Sequence, residues 1–506
     1  MRWSRSASCF ALSLVAACRS PASPVPVVGE TVKLRLGESA PQASALFDGT
    51  VVRLRGARGE TLGVQVLAEA ENARLWLPEA IAAVDGFTVH TLKVTEPSSE
   101  MYGPSRGTGE YPDILEPRPP GIDVPGPAYF DVAIRPGAKP GRYRGQLVID
   151  RRPITVELTV EPVTVDLKRD PLVWVFYLPS EIAREHNVAD DDGLAEIVWE
   201  RRYVELFRAH GCFLASDLPA KRFPPRSVFA AGLRYWPVAL DTATDERLAA
   251  DVKEWLMQFR SGATIPFAVP VDEPRSAEDR ARVRHVGEVV ARAGGGAPSL
   301  LRAVTAARSP DYDDAVDVWI SPKLFPGAAP AGKRLWTYNG RPPEAGSLIL
   351  DGDGAALRTW GWIAFRYRVE LWYAWEGLYW SDRYNKGGPT RVLQNPDTFD
   401  ERRKGGSDHG NGDGVLAYPG PMPSLRLKAL RRGLTDRLLL EKLSACGGAA
   451  EADAIARRLV PRALGEAKGA AAWPSDERAW EAARGEVLDA LVRRCPDGAG
   501  ADGGRK

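Results

Sequence analysis

Two adjacent carboxylates close a short apolar run near the middle of the chain. The run, IPFAVPVDEP, covers residues 265–274 and ends in Asp272 and Glu273. Pro274 blocks further strand pairing, because proline has no backbone N–H to donate. The pattern predicts a buried strand with acid groups at its carboxyl end, which is where the catalytic residues of (β/α)8 barrels lie. The alternative is a polar turn and helix start, since acidic residues favour the first turn of a helix.

Strands and helices alternate on both sides of this run. The predicted strands are LVWVFYLP, CFLASDLP, IPFAVPVDEP, LLRAVTA, VDVWISP, KRLWTYN and GLYWSD. The predicted helices cover residues 194–210, 245–259, 276–293, 357–375 and 424–443, the last of them amphipathic. Such alternation predicts a parallel, TIM-like (β/α)8 barrel, which we place at residues 169–445.

The regions before and after the predicted barrel have different patterns. Residues 31–168 hold short segments of alternating hydrophobicity between Gly, Pro and Asp turns, which predicts an antiparallel β-sandwich. Within it, residues 97–127 lack periodicity and are expected to form a long loop. Residues 446–496 predict a short C-terminal helical extension, and residues 497–506 a disordered tail.

Polar and aromatic residues collect at the predicted strand ends, where we expect a pocket. These residues are Ser216, Asp217, Trp319, Trp336, Tyr338, Asn339, Trp380 and Asp382. Arg358 is a further candidate to support the pocket. The chain has 15 tryptophans, and such richness is typical of carbohydrate sites, because the apolar faces of sugars stack on indole rings. Core packing is the alternative for each of them.

Composition and residue spacing argue against nucleic acid, metal and cofactor as partners. The net charge is +1, so no basic field points to nucleic acid. The five His and five Cys do not show the spacing of a metal site, and we expect no metal and no cofactor.

The first residues have the pattern of a targeting segment. Arg2 and Arg5 precede the apolar run CFALSLVAA, which is too short for a permanent membrane span. The run ends in VAAC, which resembles a bacterial lipoprotein cleavage box with Cys18 as the lipidated residue. We therefore expect a signal peptide at 1–17, a tether at 18–30, and an exported protein anchored by lipid to the outer membrane or cell surface. Plain secretion is the alternative.

Three cysteines remain after Cys18, and an oxidising compartment permits disulfides. Cys446 and Cys495 flank the predicted C-terminal helices and are expected to pair, leaving Cys212 as a buried thiol.

The stretch from residue 358 to residue 443 resembles a known family, the bacterial domain of unknown function 4091. The matching segments are RTWGWIAFRYRVELWYAWEGLYWSD, GDGVLAYPG and PSLRLKALRRGLTDRLLLEKL. The resemblance implies a barrel similar to family 123 of the glycoside hydrolases, whose members also carry an N-terminal β-sandwich.

Members of family 123 are exo-acting β-N-acetylgalactosaminidases that use an adjacent Asp-Glu pair. By this resemblance Glu273 is the general acid/base, and Asp272 orients the 2-acetamido group, whose oxygen attacks the anomeric carbon. This substrate-assisted route differs from the two-carboxylate scheme. The implied function is hydrolysis of a β-linked N-acetylhexosamine.

Two rival hypotheses stay open at this point. One is a glycan-binding lipoprotein without catalysis. The other is a retaining glycosidase with a protein nucleophile, for which Asp217 and Asp382 are the candidates.

Overall fold

The computed structural model describes residues 27–41, 43–67, 70–189, 192–294, 300–324 and 329–495. The predicted signal peptide, Cys18, the tether as far as residue 26 and the predicted tail lie outside the described residues. The end of the predicted tether, Val27–Gly29, forms a buried strand.

Nine strands form the N-terminal part of the described chain. They are β1 (Val27–Gly29), β2 (Val51–Arg58), β3 (Thr61–Val66), β4 (Ala73–Trp76), β5 (Ala82–Val94), β6 (Gly109–Pro117), β7 (Ala128–Ile134), β8 (Gly141–Ile149) and β9 (Arg152–Thr164). They make two sheets, with the orders β1-β3-β7-β5-β6 and β2-β9-β8-β4. Side chains of both sheets, among them Val64, Val132, Leu147 and Leu158, share one buried cluster.

Two features of these sheets differ from the sequence prediction. β2 pairs with β9 in parallel, whereas the other pairs are antiparallel. Alternation determines which side chains face the core but not the strand direction, so it does not predict this pairing. The predicted loop at 97–127 contains β6, an edge strand with Pro112 beside a register shift. A proline at a bulge hides the alternation that marks a strand.

The second part of the chain contains a parallel sheet of eight strands. The strands are β10 (Val173–Val175), β11 (Cys212–Leu214), β12 (Tyr235–Pro237), β13 (Ile265–Ala268), β14 (Leu301–Val304), β15 (Val318–Ile320), β16 (Arg334–Tyr338) and β17 (Trp372–Ala374). The accompanying helices are α1 (Pro179–Glu185), α2 (Gly193–Ala209), α3 (Ser227–Ala230), α4 (Asp245–Gln258), α5 (Ala277–Ala293) and α6 (Thr359–Tyr367).

The sheet curls in the manner of a TIM-like barrel. Its order is β11-β10-β17-β16-β15-β14-β13-β12, so the last strand pairs with the first and β11 and β12 form its two edges. The connection from β14 to β15 contains only a 3-10 turn, Asp313–Ala315, so this crossover lacks the helix of an ideal (β/α)8 unit. Because all strands are parallel, their carboxyl ends meet at one mouth.

Two predicted elements of the barrel are corrected by the structure, and one strand was missed. The predicted helix at 357–375 ends at Tyr367, because Arg368 adopts a left-handed conformation with φ 54°, and β17 follows. Both elements are buried, so the apolar run shows no period that would separate them. GLYWSD does not supply a barrel strand, since Ser381–Asp382 pairs with Gly388–Pro389 and Leu378 bridges Val415, both outside the parallel sheet. Strand β12 was missed.

Small strand pairs and three helices complete the described chain. The strands are β18 (Ser381–Asp382), β19 (Gly388–Pro389), β20 (Asp397–Asp400), β21 (His409–Asn411), β22 (Ala417–Tyr418) and β23 (Met422–Pro423). The helices are α7 (Leu425–Leu443), α8 (Ala449–Leu459) and α9 (Glu477–Arg494). Among the described helices, none is long and apolar enough to cross a membrane.

Helix α7 is buried on nearly all sides, although its sequence predicts an amphipathic helix with one solvated face. Three of its charged side chains, Arg426, Lys428 and Arg431, are each at most 3% exposed. They pair with acids of the N-terminal sheets, so the charged face meets protein instead of water.

The predicted disulfide is confirmed. Cys446 and Cys495 are bonded, with their Cα atoms 6.2 Å apart, and Cys212 is a free buried thiol. The bond joins the end of α9 to the segment that follows α7, so it closes a loop around α8 and α9.

Removing this bond should destabilise the protein. The two cysteines are 49 residues apart, and chain entropy predicts a loss of about 4 kcal/mol of unfolding free energy for such a loop. We expect Cys446→Ala/Cys495→Ala to unfold at lower denaturant concentration than the wild type. A reductant should destabilise the wild type and leave the double variant unchanged. Equal unfolding midpoints for the two proteins without reductant would contradict a stabilising contribution of the disulfide.

Candidate active site at the mouth of the barrel

Asp272 and Glu273 lie on a turn at the mouth, four and five residues beyond the end of β13. Glu273 has a φ of 42°, and α5 begins shortly after it with a capping box between Ser276 and Asp279. The hydroxyl of Thr305, the first residue after β14, joins both acids. It donates to Asp272 Oδ1 at 2.5 Å and accepts from the Glu273 backbone N–H at 2.7 Å.

Because Asp272 and Glu273 lie on a turn, their side chains are not forced to opposite sides as they would be on a strand. Neighbouring residues of a regular strand face opposite sides. Here the strand has ended, and the Thr305 hydroxyl binds the Asp272 carboxylate and the Glu273 backbone N–H. The charges of both carboxylates act on Tyr338. Thr305 is itself buried in the wall of the barrel, so the anchor is fixed.

Each oxygen of the Glu273 carboxylate has a donor. Arg275 Nη2 donates to Oε2 at 2.5 Å, and Tyr338 Oη donates to Oε1 at 3.4 Å. Burial, followed by the charges of Glu273 and Asp272, raises the pKa of Tyr338 to about 12, so its hydroxyl stays protonated. The side chain of Glu273 is 40% exposed and open to a ligand.

A second group of acids lies near Tyr373, the middle residue of β17, which stacks on Trp174. Burial, and then the charges of Asp272, Glu376 and Asp217, raise the pKa of Tyr373 well above its ordinary value. The Tyr373 hydroxyl is therefore a donor among carboxylates that come from three different strand ends.

Asp217 and Glu376 differ in their environments. Burial, followed by the charge of Asp272, raises the pKa of Asp217 to about 6, although solvent still reaches its side chain. An acid group that is partly desolvated but still reached by solvent lies in a concave part of the surface. Glu376 is fully buried and contacts Arg383; burial raises the pKa of Glu376 against the opposing charge of that arginine.

A cavity of about 320 Å³ lies beside Tyr338. Asn339, Trp375, Asp413 and the side chain of Tyr102 from the N-terminal region also line it. Asn339 Oδ1 accepts from the Trp375 backbone N–H at 2.9 Å, and Trp375 Nε1 donates to Asp413 Oδ1 at 3.1 Å. Burial raises the pKa of Asp413 to about 6. We call this space the Tyr338 cavity.

The structure brings Asp217, Asp272, Glu273, Tyr338 and Asn339 to the mouth or its adjoining cavity. The other predicted substrate-binding residues lie elsewhere. Trp319 and Trp380 are each 1% exposed and Trp336 is 0% exposed. Trp336 packs 4.9 Å from both Phe267 and Tyr235, measured between ring centroids. A sugar cannot stack on a ring that is inside the core, so the prediction of sugar stacking on these three residues is corrected to core packing.

Arg358 and Asp382 are held in buried networks. Arg358 Nε bonds to Asp436 at 2.9 Å and its Nη1 bonds to Glu481 at 2.7 Å, which ties α9 to the barrel. Asp382 is fully buried; it contacts Arg403 and accepts from Tyr379 Oη at 2.7 Å. With its oxygens occupied, Asp382 is not placed as a nucleophile, whereas Asp217 keeps access to the mouth.

Several residues of the site were missed in the sequence. They are Thr305, Tyr373, Trp375, Glu376 and Asp413. Thr305 is the last polar residue of the predicted strand LLRAVTA, and the strand-end rule that selected its neighbours also selects it. Tyr373, Trp375 and Glu376 were hidden by the assignment of β17 to a helix. Asp413 lies in the glycine-rich run GNGDG, which carries no periodic signal.

Among the described residues, no group of three or more His, Cys, Asp or Glu side chains is arranged to hold a metal ion.

Comparison with solved structures shows a similar fold. A family 123 glycoside hydrolase from Clostridium perfringens, described with glycolipid glycan hydrolysis, is 12% identical with a TM-score of 0.61. The match covers 88% of this chain and 94% of that one. A glycosyl hydrolase family 2 member from Bacteroides cellulosilyticus is 10% identical, covers 69% of this chain and 46% of its own, and has a TM-score of 0.25. No family model and no curated protein matches the sequence.

The burial of Trp380 predicts a stability defect on its removal. Trp380→Ala should lower the free energy of unfolding by about 3–5 kcal/mol, because it leaves a cavity in the core. The matched control is Trp76→Ala, since Trp76 is 58% exposed and its loss should change stability by less than about 1 kcal/mol. Denaturant melts measure both. A Trp380→Ala protein as stable as the control would contradict the core assignment.

Proposed function

We propose that this protein is a glycoside hydrolase that acts on a β-linked N-acetylhexosamine, of the N-acetylgalactosamine type. The observation that carries the proposal is the adjacent pair Asp272 and Glu273, held by one threonine hydroxyl at the mouth of a barrel. The similarity of fold to a family 123 glycoside hydrolase supports it. In this proposal the two N-terminal sheets form an accessory β-sandwich, and the barrel is the catalytic domain.

Glu273 is the proposed general acid and base. Without substrate its oxygens accept from Arg275 and Tyr338, so the Arg275 contact must open before Glu273 can carry a proton to the glycosidic oxygen. Arg275 is 85% exposed and free to move into solvent. A substrate that enters the mouth displaces water and this side chain together.

Asp272 is the proposed partner of the substrate's 2-acetamido group. A carboxylate that accepts the amide N–H strengthens the acetamido oxygen as the nucleophile toward the anomeric carbon. The Tyr373 hydroxyl, which the surrounding acids keep protonated, supplies a donor near the same place. Hydrolysis then needs only water and these side chains, and no cofactor.

The rival mechanism uses Asp217 as a covalent nucleophile. A nucleophilic carboxylate must be ionised at the working pH, and a pKa of about 6 leaves Asp217 largely ionised at neutral pH. This rival differs from the proposed mechanism in forming a covalent glycosyl-enzyme intermediate on Asp217. The other rival, glycan binding without turnover, is distinguished by activity alone. A protein that binds N-acetylhexosamines and hydrolyses none of their glycosides would favour it.

Export and membrane attachment are part of the proposal. The apolar run that ends in VAAC supports lipid modification at Cys18, and the Pro- and Ser-rich residues after it support a tether to the outer membrane or cell surface.

Substitution of the two acids should separate their roles. Glu273→Gln should lose about 10²–10⁴-fold in kcat on substrates with poor leaving groups, and much less on dinitrophenyl glycosides, which need no protonation. Asp272→Asn should lose rate on both, since formation of the cyclic intermediate is impaired. Glu278→Gln is the matched control, because Glu278 is a nearby exposed acid at the start of α5. Near-wild-type turnover by both site variants would show that Asp272 and Glu273 are not the catalytic pair.

Replacing Cys18 should abolish anchoring. We expect Cys18→Ser to move from the detergent-extracted membrane fraction to the soluble fraction, or to accumulate unprocessed, because no thiol remains to carry lipid. Fractionation with immunodetection measures this. Membrane attachment equal to that of the wild type would contradict the lipid anchor.

A further inference from the structure

The four-stranded sheet β2-β9-β8-β4 has one exposed face that the proposed reaction leaves unused. The other N-terminal sheet lies between it and the barrel, because Asp113 and Asp131 of that sheet bond to α7 and the two sheets share one buried cluster. The far face of the four-stranded sheet is therefore turned away from the barrel, except at the β2 edge, where Arg55 bonds to Asp489 of α9 at 2.7 Å. We propose that this face binds an acidic polysaccharide, one whose sugar rings carry carboxylate or sulfate groups.

The strand register places the exposed side chains in neighbouring rows. Alternate residues of a strand point to the same face, and Leu75 and Leu147 point to the buried cluster. Trp76 lies opposite Gln146 in the pairing of β4 with β8, and Gln146 lies opposite Thr155 in the pairing of β8 with β9. We call the resulting surface the outer face; its exposed residues are Arg74, Trp76, Arg142, Arg144, Gln146 and Thr155.

The row that contains Trp76 suits a sugar ring. Trp76 is 58% exposed, and the amide of Gln146 and the hydroxyl of Thr155 follow it across the sheet. The C–H face of a pyranose can stack on the indole while the amide and the hydroxyl bond to its ring substituents. Because the face of a sheet has no walls, it admits a long chain as readily as a single sugar.

The charges on β8 favour an acidic ligand. Arg142 and Arg144 are two residues apart on the same face, which separates them by about 7 Å along the strand. Arg144 is 3.8 Å from Glu157, and that acid is also 3.7 Å from Arg53, which contacts Asp48 as well. Arg142 has no ion pair among the described residues. The local excess of guanidinium groups is complementary to carboxylate or sulfate, which arginine can bind with two parallel hydrogen bonds.

An anionic membrane surface is the other partner that such charges could meet. A site that lies in the membrane interface buries a broad apolar face among the lipids. The outer face has Trp76 as its one aromatic residue, and Gln146 and Thr155 beside it are polar. These hydrogen-bonding groups match the hydroxyls of a sugar chain, so we assign the face to a polysaccharide.

The test is affinity electrophoresis of the full-length protein in native gels. The gels contain polygalacturonate, which carries carboxylates, or dextran sulfate, or uncharged dextran as the matched neutral polymer. None of these polymers contains an N-acetylhexosamine, so retardation does not report on the proposed active site. We expect one or both acidic polymers to retard the protein and dextran to leave its mobility unchanged. The polymer that retards it identifies the acidic group.

Substitutions should locate the binding on the outer face. Trp76→Ala and the double variant Arg142→Gln/Arg144→Gln should each raise the Kd for the retarding polymer about tenfold. Trp76 is exposed, so its loss leaves the fold intact and the change reports binding. Arg260→Gln is the matched control, since Arg260 is an exposed arginine beyond the end of α4 with no ion pair among the described residues, and it should bind as the wild type does.

Linear polyphosphate separates ring stacking from attraction between charges, because it is anionic and has no rings. Trp76→Ala should bind polyphosphate as the wild type does. The proposal is overturned if neither acidic polymer retards the wild type, if Trp76→Ala is retarded as strongly as the wild type, or if it loses polyphosphate binding equally. Flotation with phosphatidylglycerol vesicles that depends on Trp76, without retardation by the polymers, would assign the face to a membrane instead. A protein that binds these polymers through Trp76 and hydrolyses no N-acetylhexosaminide would keep the outer face and lose the proposed function.

Discussion

Burial of charge along α7 is the constraint on which the rest of the structure depends. Lys428 Nζ bonds to Asp131 at 2.6 Å, and Arg431 bonds to the same aspartate at 2.6 Å. Arg432 and Arg484 both bond to Glu60. Removing one partner of a buried pair typically costs about 3–5 kcal/mol, because the other charge remains without water or counterion. The barrel and the N-terminal sheets are therefore complete only when they are packed on each other.

The directions of the pKa shifts of Asp131 and Lys428 agree with the mutual dependence of the barrel and the N-terminal sheets. The charges of Arg431 and Lys428 overcome burial and hold the pKa of Asp131 below its usual range. Burial lowers the pKa of Lys428 to about 8, against the charge of Asp131. Arg431 keeps its charge at any working pH, so it is the stronger partner of Asp131 and Lys428 is the weaker one.

The same network reaches the candidate site through Arg426. Its Nη2 bonds to Asp113 of the N-terminal sheet at 2.8 Å, and its Nη1 donates to the carbonyls of Leu348 at 2.5 Å and Gly412 at 2.6 Å. Leu348 lines the Tyr338 cavity, and Gly412 precedes Asp413. One buried guanidinium thus joins the N-terminal region, α7 and two walls of the cavity.

Much of this architecture could be predicted from the sequence, and the failures have a common cause. Apolar strands followed by Asp217, Asp272, Tyr338 or Asn339 identified the mouth, because a parallel sheet collects its carboxyl ends. The tryptophans and α7 were misread because sequence gives residue type and period but not what lies opposite. Trp336 faces Phe267 and Tyr235, and the charges of α7 face acids far away in sequence. Neither partner is visible in a local pattern.

If Glu273 is the general acid, as proposed, its two contacts determine what a substrate must displace. Arg275 can only donate, so it requires a lone pair on Oε2. A proton on Oε2 therefore requires that Arg275 leave, whereas Oε1 can go on accepting from Tyr338. This adjustment is small, since Arg275 is 85% exposed. In the proposed reaction the substrate takes the place of Arg275 at Oε2, so the fixed contacts around Tyr338 position Glu273 and the exposed arginine gives way.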